Sequence, residues 1–142
     1  NIAMRFLAID LGDKRTGLAV GDDELHMAHP VGVLEIPIGQ RLVDAIAEAI
    51  QEHAADEVVM GLPLHMDGTP GKRVEITGEF GDRVAKTANV KIHYQDERLT
   101  SASAEERLSG SGKTHKQKKQ ARDALAATEI LRDFLGSNRS SL

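Results

Sequence analysis

The sequence predicts an α/β fold, a mixed five-stranded sheet with helices on both faces, and three observations carry that expectation. Short apolar runs stand at RFLAID, GLAVG, PVGVLEI, EVVMGL and VKIHYQ. Apolar residues also recur every three or four positions in longer segments, the period of an amphipathic helix. The resulting order is three strands, helix, strand, helix, strand, then helices. That order makes a hairpin-led sheet extended by two crossover units.

Each element follows from its residues. Arg5 to Asp10 is an apolar strand stopped by Gly12, and GLAVG resumes after a charged turn, so the first two strands form a hairpin. A third strand is expected over Pro30 to Ile36. Leu42, Ile46 and Ile50, with Val43 and Ala47 alongside, mark the first helix. Glu57 to Leu62 is a short buried strand, and Pro63, Gly68, Pro70 and Gly71 make the following segment a loop. A helix is expected from about Arg73 to Lys86, against the cost of Gly78 and Gly81, each up to about 1 kcal/mol relative to alanine. Val90 to Gln95 is the fifth strand. Thr100 then caps a short helix carrying Glu105 and Glu106, and SGSG precedes a long last helix ending near Gly136. Right-handed crossovers place the strand ending at Leu62 beside the first strand, and the strand ending near Asp96 next to it.

A chain of 142 residues suits one core, and residues 4–136 are expected to form a single domain. Asn1 to Ala3, ahead of Met4, are read as an added remnant, and residues 137–142 as a disordered tail. Aromatic residues are 3% of the chain, so stacking platforms are not its main means of holding nucleic acid. It has no cysteine, which excludes disulfides, thiolate zinc sites and cysteine nucleophiles. No apolar run approaches the roughly 20 residues of a membrane span, so no membrane association is expected and a cytoplasmic location is. The net charge of -4 does not advertise a nucleic-acid binder, but its distribution is uneven. Lys113, Lys116, Lys118, Lys119 and Arg122 form an acid-free run beside His115.

The acidic residues carry the chemistry. Asp10 ends the first strand, where ligands of parallel-type sheets bind near a topological switch. Asp96 and Glu97 end the last strand at the same edge, and alternation alone does not say which of the two faces a site. Asp123 shares a helical stripe with the apolar Ala126, Ala127, Ile130 and Phe134, where a carboxylate needs a partner. Oxygen donors without thiolate or a histidine cluster suit magnesium or manganese better than zinc. His26 and His29, the closest histidine pair, are taken as surface residues. SGSGKT, Ser109 to Thr114, resembles the end of a phosphate-binding loop, yet Arg107 stands where the leading glycine belongs and a helix, not a strand, precedes it. The phosphate-loop reading therefore fails, and a mobile basic lid beside the site, or equally a plain flexible linker, explains the same glycines, serines and Lys113 better. Gly61 permits a close approach of backbone at a strand end.

Four motifs in order, AIDLGDKRTGLAV, GLPLHMDGTPG, YQDERLTSASAE and ARDALAATEIL, resemble the YqgF (RuvX) family, Holliday junction resolvase-like proteins also described as pre-16S rRNA nucleases. The resemblance spans Met4 to Leu135. It implies a ribonuclease H-like fold, divalent-metal-dependent cleavage of nucleic acid and trimming of the 5′ end of pre-16S rRNA. It also places the family's acidic residues on Asp10, Glu97 and Asp123, favouring Glu97 over Asp96. Two departures stand out: His65 where asparagine is expected, and the glycine-bearing ITGEFG stretch.

Phosphodiester hydrolysis requires a nucleophile at neutral pH and neutralisation of transition-state charge. Two Mg2+ or Mn2+ ions about 4 Å apart can supply both. Clustered carboxylates should repel one another before metal binds, raising at least one pKa. Lys14, Arg15 and Arg98 are candidates to hold phosphates, with Lys113, Lys116, Lys118, Lys119 and Arg122 tracking the backbone. RNA is the favoured partner and branched DNA the alternative, in the manner of a Holliday junction resolvase. A noncatalytic RNA-binding ribosome-assembly factor is the rival from another class. A nucleotide-binding domain of the actin and sugar-kinase type, suggested by DLGDKRTG, needs two such domains where this chain has room for one. A resolvase would also act as a symmetric dimer, and no long exposed apolar segment announces that interface.

Overall fold

The computed structural model describes residues 3–97 and 115–140. The elements are β1 (Arg5–Asp10), β2 (Thr16–Asp22), β3 (Ala28–Leu34), α1 (Gln40–Glu52), β4 (Glu57–Leu62), α2 (Lys72–Ala88), β5 (Ile92–Asp96) and α3 (His115–Ser140). The five strands form one sheet in the order β3-β2-β1-β4-β5. β1 pairs antiparallel with β2 and parallel with β4, which pairs parallel with β5, so the mixed sheet expected from the element order is present. The short helix expected after Thr100 lies outside the described residues. Among those that are described, no helix is long and apolar enough to cross a membrane.

Strand alternation divides the core between two faces. Leu7 and Ile9 of β1, with Val58 and Met60 of β4, pack on Leu42, Val43, Ile46 and Ile50 of α1 and on Phe80 and Val84 of α2. Phe6, Ala8, Ala19, Ala28 and Val59 face the other way, onto Ala127, Ile130, Leu131, Phe134 and Leu135 of α3. Helices therefore cover both faces.

On the α3 side the sheet offers small residues. A Cβ at Gly17 would collide with the backbone carbonyl oxygen of Asp123, and one at Gly21 with the Met27 carbonyl oxygen and a methyl of Leu131. The row Gly17, Ala19 and Gly21 on β2 thus lets the α3 backbone come down onto the sheet.

Several boundaries differ from the sequence reading. β3 begins at Ala28 and ends at Leu34, two residues earlier than expected at each end. It is an edge strand, which is where Pro30, lacking an N–H to donate, can be accommodated. α2 runs unbroken through its glycines to Ala88, where Asn89 caps it in the left-handed conformation at φ 54°. Gly81 faces β5, and a Cβ there would strike the Tyr94 hydroxyl, so the ITGEFG glycine serves close packing. α3 continues past Gly136 to Ser140. His29 is exposed as expected, but His26 is not a plain surface residue: it is half-buried at φ 55°, with Nδ1 buried and without a hydrogen-bond partner among the described residues.

Candidate active site

The carboxyl ends of β1, β4 and β5 share one edge of the sheet, and parity decides what each presents there. Phe6 and Ala8 face α3, so Asp10, two residues on, projects to the same side. On β5, Tyr94 reaches Gly81 of α2, whereas His93 contacts Phe6 and, at 4.8 Å between rings, Phe134 of α3. Odd-numbered residues of β5 therefore face α3, and this carries Glu97 to the side of Asp10 and Asp96 to the other. Backbone pairing persists to that point, the Glu97 N–H donating to the Leu62 carbonyl at 3.4 Å.

The carboxyls of Asp10 and Glu97 come within hydrogen-bonding reach of each other. Burial pushes the Asp10 carboxyl well above the usual carboxylate range, and the negative charges of Glu97 and Asp123 push it further, with Arg73 acting against them. Burial likewise raises Glu97, while the Asp10 hydrogen bond and Arg73 oppose the rise. The raised pKa expected of clustered carboxylates is thus present, with burial as its leading cause.

Glu97 fits over a glycine. A Cβ at Gly61 would collide with Glu97 Oε2 and lie 2.6 Å from Cδ1 of Ile130. The close approach expected at Gly61 is consequently made by a carboxylate and by α3.

Asp123 enters from α3, its backbone over Gly17, the residue paired with Asp10 across β1 and β2. Its Oδ2 lies 3.0 Å from Nε of Arg15, both side chains being about one-third exposed. Ala126, Ala127, Ile130 and Phe134, on the same stripe, are buried as the helical spacing requires. A cleft of about 480 Å³ opens here, lined by Asp10, Gly12, Asp13, Lys14, Arg15 and Asp123.

The turn between β1 and β2 is fixed from several directions. Gly12 backs onto the Arg15 carbonyl oxygen, where any Cβ would collide, and its N–H donates to the Thr16 hydroxyl at 3.4 Å. Arg73, on the first turn of α2, donates to Asp13 at 2.5 Å and to the Leu11 carbonyl at 3.2 Å. Sequence reading missed Arg73, whose only signal is its place just after the loop that returns to this edge.

The remaining expected site residues are distributed unevenly. Lys14 and Arg15 line the cleft. Arg122 is partly buried on α3, and Lys116, Lys118 and Lys119 fall on that helix's first turns. Arg98 and Lys113 lie outside the described residues. Among the described residues, no three acidic or histidine side chains already stand at metal-ligand spacing. Asp123 is engaged by a guanidinium instead.

The family described as RuvX, Holliday junction resolvase, matches residues 4–137. A protein of Dechloromonas aromatica named "Putative pre-16S rRNA nuclease" is 38% identical over 131 residues, covering 92% of this chain and 90% of its own. One of the same name from Lactococcus lactis subsp. cremoris is 37% identical over 140 residues, covering 97% and 98%. Among solved structures, Thermus thermophilus RuvC in complex with a Holliday junction substrate aligns over 97% of both chains with a TM-score of 0.58 at 14% identity. That likeness concerns the fold, which is ribonuclease H-like as expected.

Proposed function

This chain belongs to the RuvX family, and from that membership we propose that it is a divalent-metal-dependent nuclease hydrolysing phosphodiester bonds at the 5′ end of pre-16S rRNA in the cytoplasm. Asp10, Glu97 and Asp123 are its catalytic residues and hold Mg2+ or Mn2+, with two ions when substrate is bound. The observation that carries this reading is the meeting of Asp10 and Glu97, two buried carboxyls at one sheet edge, with Asp123 brought beside them over Gly17.

The residues suit such an ion. All three offer carboxylate oxygen, the donor that magnesium and manganese prefer. Burial holds Asp10 and Glu97 close together where their charged forms are disfavoured, a situation a cation relieves. When bound, the cation supplies charge neutralisation at the phosphate and a more acidic water.

The chain's own groups position the rest. Gly61 keeps space for Glu97, and Gly17 sets the height of Asp123 above the sheet. Arg73 clamps the turn that carries Asp10's neighbours. Lys14 and Arg15 at the cleft contact substrate phosphates, and Arg98, Lys113, Lys116, Lys118, Lys119 and Arg122 follow the nucleic-acid backbone.

The test is cleavage of pre-16S rRNA and of a Holliday junction with Mg2+ or Mn2+, comparing the wild type with Asp10→Asn and Asp123→Asn. Cutting of the RNA that vanishes in both variants supports the proposal. Cutting of the junction alone would make the protein a resolvase, as the family's description suggests. Salt-sensitive RNA binding that persists without metal, and no cleavage of either substrate, would mean a noncatalytic assembly factor.

A further inference from the structure

Arg15 occupies the position of a counter-ion. Its Nε meets Asp123 Oδ2 at 3.0 Å, and the pair stands on the wall of the cleft that also holds Asp10 and Lys14. Its backbone is fixed by the contact of its carbonyl oxygen with Gly12, but its side chain remains about one-third exposed and able to turn. Of the two other acids on the cleft wall, Asp13 is already bound by Arg73 and Asp10 is buried against Glu97. A guanidinium leaving Asp123 therefore meets, as its next anion in the cleft, an incoming phosphate, which its planar fork of donors matches.

We propose that Arg15 is an exchangeable counter-ion: it neutralises Asp123 in the metal-free protein and passes to a substrate phosphate when a divalent cation takes Asp123. The inference rests on the metal-dependent reading given above and adds a coupling to it. Guanidinium and cation compete for one carboxylate, so Arg15 weakens metal binding while no nucleic acid is present. A phosphate that takes the guanidinium away removes the competition. Cation and nucleic acid then strengthen each other's binding, reciprocally, through a single side chain.

The experiment compares the full-length wild type with Arg15→Gln and Arg15→Lys, each checked for folding by circular dichroism. Mn2+ binding without nucleic acid is followed by the electron paramagnetic resonance of the free ion. Binding of a short fluorescein-labelled RNA is followed by anisotropy, in chelator and then in Ca2+ to slow cleavage. Arg15→Gln is expected to bind Mn2+ on the order of tenfold more tightly than the wild type. Its RNA affinity is expected to fall below the wild type by on the order of tenfold more in Ca2+ than in chelator. Arg15→Lys keeps the charge but not the Nε donor and is expected to fall between the two; it carries the test should the glutamine variant fail to fold. Unchanged or weaker Mn2+ binding in the variants would overturn the exchange, since a purely structural arginine would loosen Asp123 when removed. Absence of Mn2+ binding in the wild type and variants alike would instead remove the metal-dependent reading itself, and the exchange with it.

Discussion

Gly61 governs Glu97 by having no side chain. A single methyl there runs into Oε2 of Glu97 and Cδ1 of Ile130, so Gly61→Ala must turn the carboxylate, the Ile130 side chain or both aside. Overpacking of this kind costs about 1–3 kcal/mol. The expected result is a lower melting temperature together with at least about a tenfold loss of cleavage, since a misplacement of about 1 Å can cost more than that. Thermal melts and initial rates on the same preparation check it. Asp10 makes the opposite prediction for stability. In the metal-free protein its carboxyl is raised well above the ordinary 3.8, and Glu97 above 4.5. Carboxyls raised by folding contribute stability that is fully present below the unfolded values and is lost as pH rises through the folded ones. Asp10→Asn removes one such group. It should melt close to the wild type in mild acid and about 3–8 °C above it at neutral pH, with cleavage abolished. A difference that shrinks as pH rises would contradict the assignment. At this scale the sequence was legible where one residue's setting sufficed: Asp10 by its strand end, Asp123 by its apolar stripe. Alternation alone could not separate Asp96 from Glu97, which only the family resemblance favoured, because it needs one residue whose face is known, and His93 provides it only once it is seen against Phe134. Arg73 was illegible because it joins Asp13 across 60 positions of sequence, a distance no local pattern spans.

Among the elements, α3 and β2 set the depth of the site. Gly17, Ala19 and Gly21 make a shallow track on which α3 lies, and Gly17 is where Asp123 touches down opposite Asp10. Gly17→Ala places a methyl against backbone, which cannot rotate away as a side chain can. It should therefore destabilise by about 1–3 kcal/mol and reduce Mn2+ affinity by lifting Asp123 from Asp10. Denaturant unfolding and a metal titration read the two effects, and a loss of stability with unchanged Mn2+ affinity would dissociate Gly17 from the site. The elements themselves were largely legible. β4 matches its expected span of Glu57 to Leu62, and α1 its apolar repeat, because burial on one face imposes the period directly. The glycines of α2 argued locally against a continuous helix. They were misleading because Gly81 answers to Tyr94 on another strand, and tertiary packing overrides propensity.

For the whole molecule, topology and charge act together. Two parallel pairings, β1 with β4 and β4 with β5, gather the strand ends that carry Asp10, Leu62 and Asp96 on one edge, and α3 adds Asp123. Right-handed crossovers made this arrangement legible from element order alone. Net charge is -4, so phosphate attraction must come from local basic residues and not from the molecule's overall field. The double variant Lys116→Gln with Lys119→Gln is expected to weaken RNA binding across sequences and to reduce the salt slope of log K by about 1.4, from about 0.7 for each lost contact to a single strand. An unchanged slope would take those lysines off the path. If Asp10, Glu97 and Asp123 act as one site, the neighbouring carboxylates Asp96 and Glu97 must differ sharply in what they contribute to cleavage. Cleavage of pre-16S rRNA with Mn2+ is measured for Glu97→Gln and for Asp96→Asn. Glu97→Gln should lose about a thousandfold in rate, the equivalent of several kcal/mol of cation-borne stabilisation, while Asp96→Asn stays within about tenfold of the wild type. A Glu97→Gln variant that cuts as the wild type does, with Asp96→Asn silent, would contradict that single site.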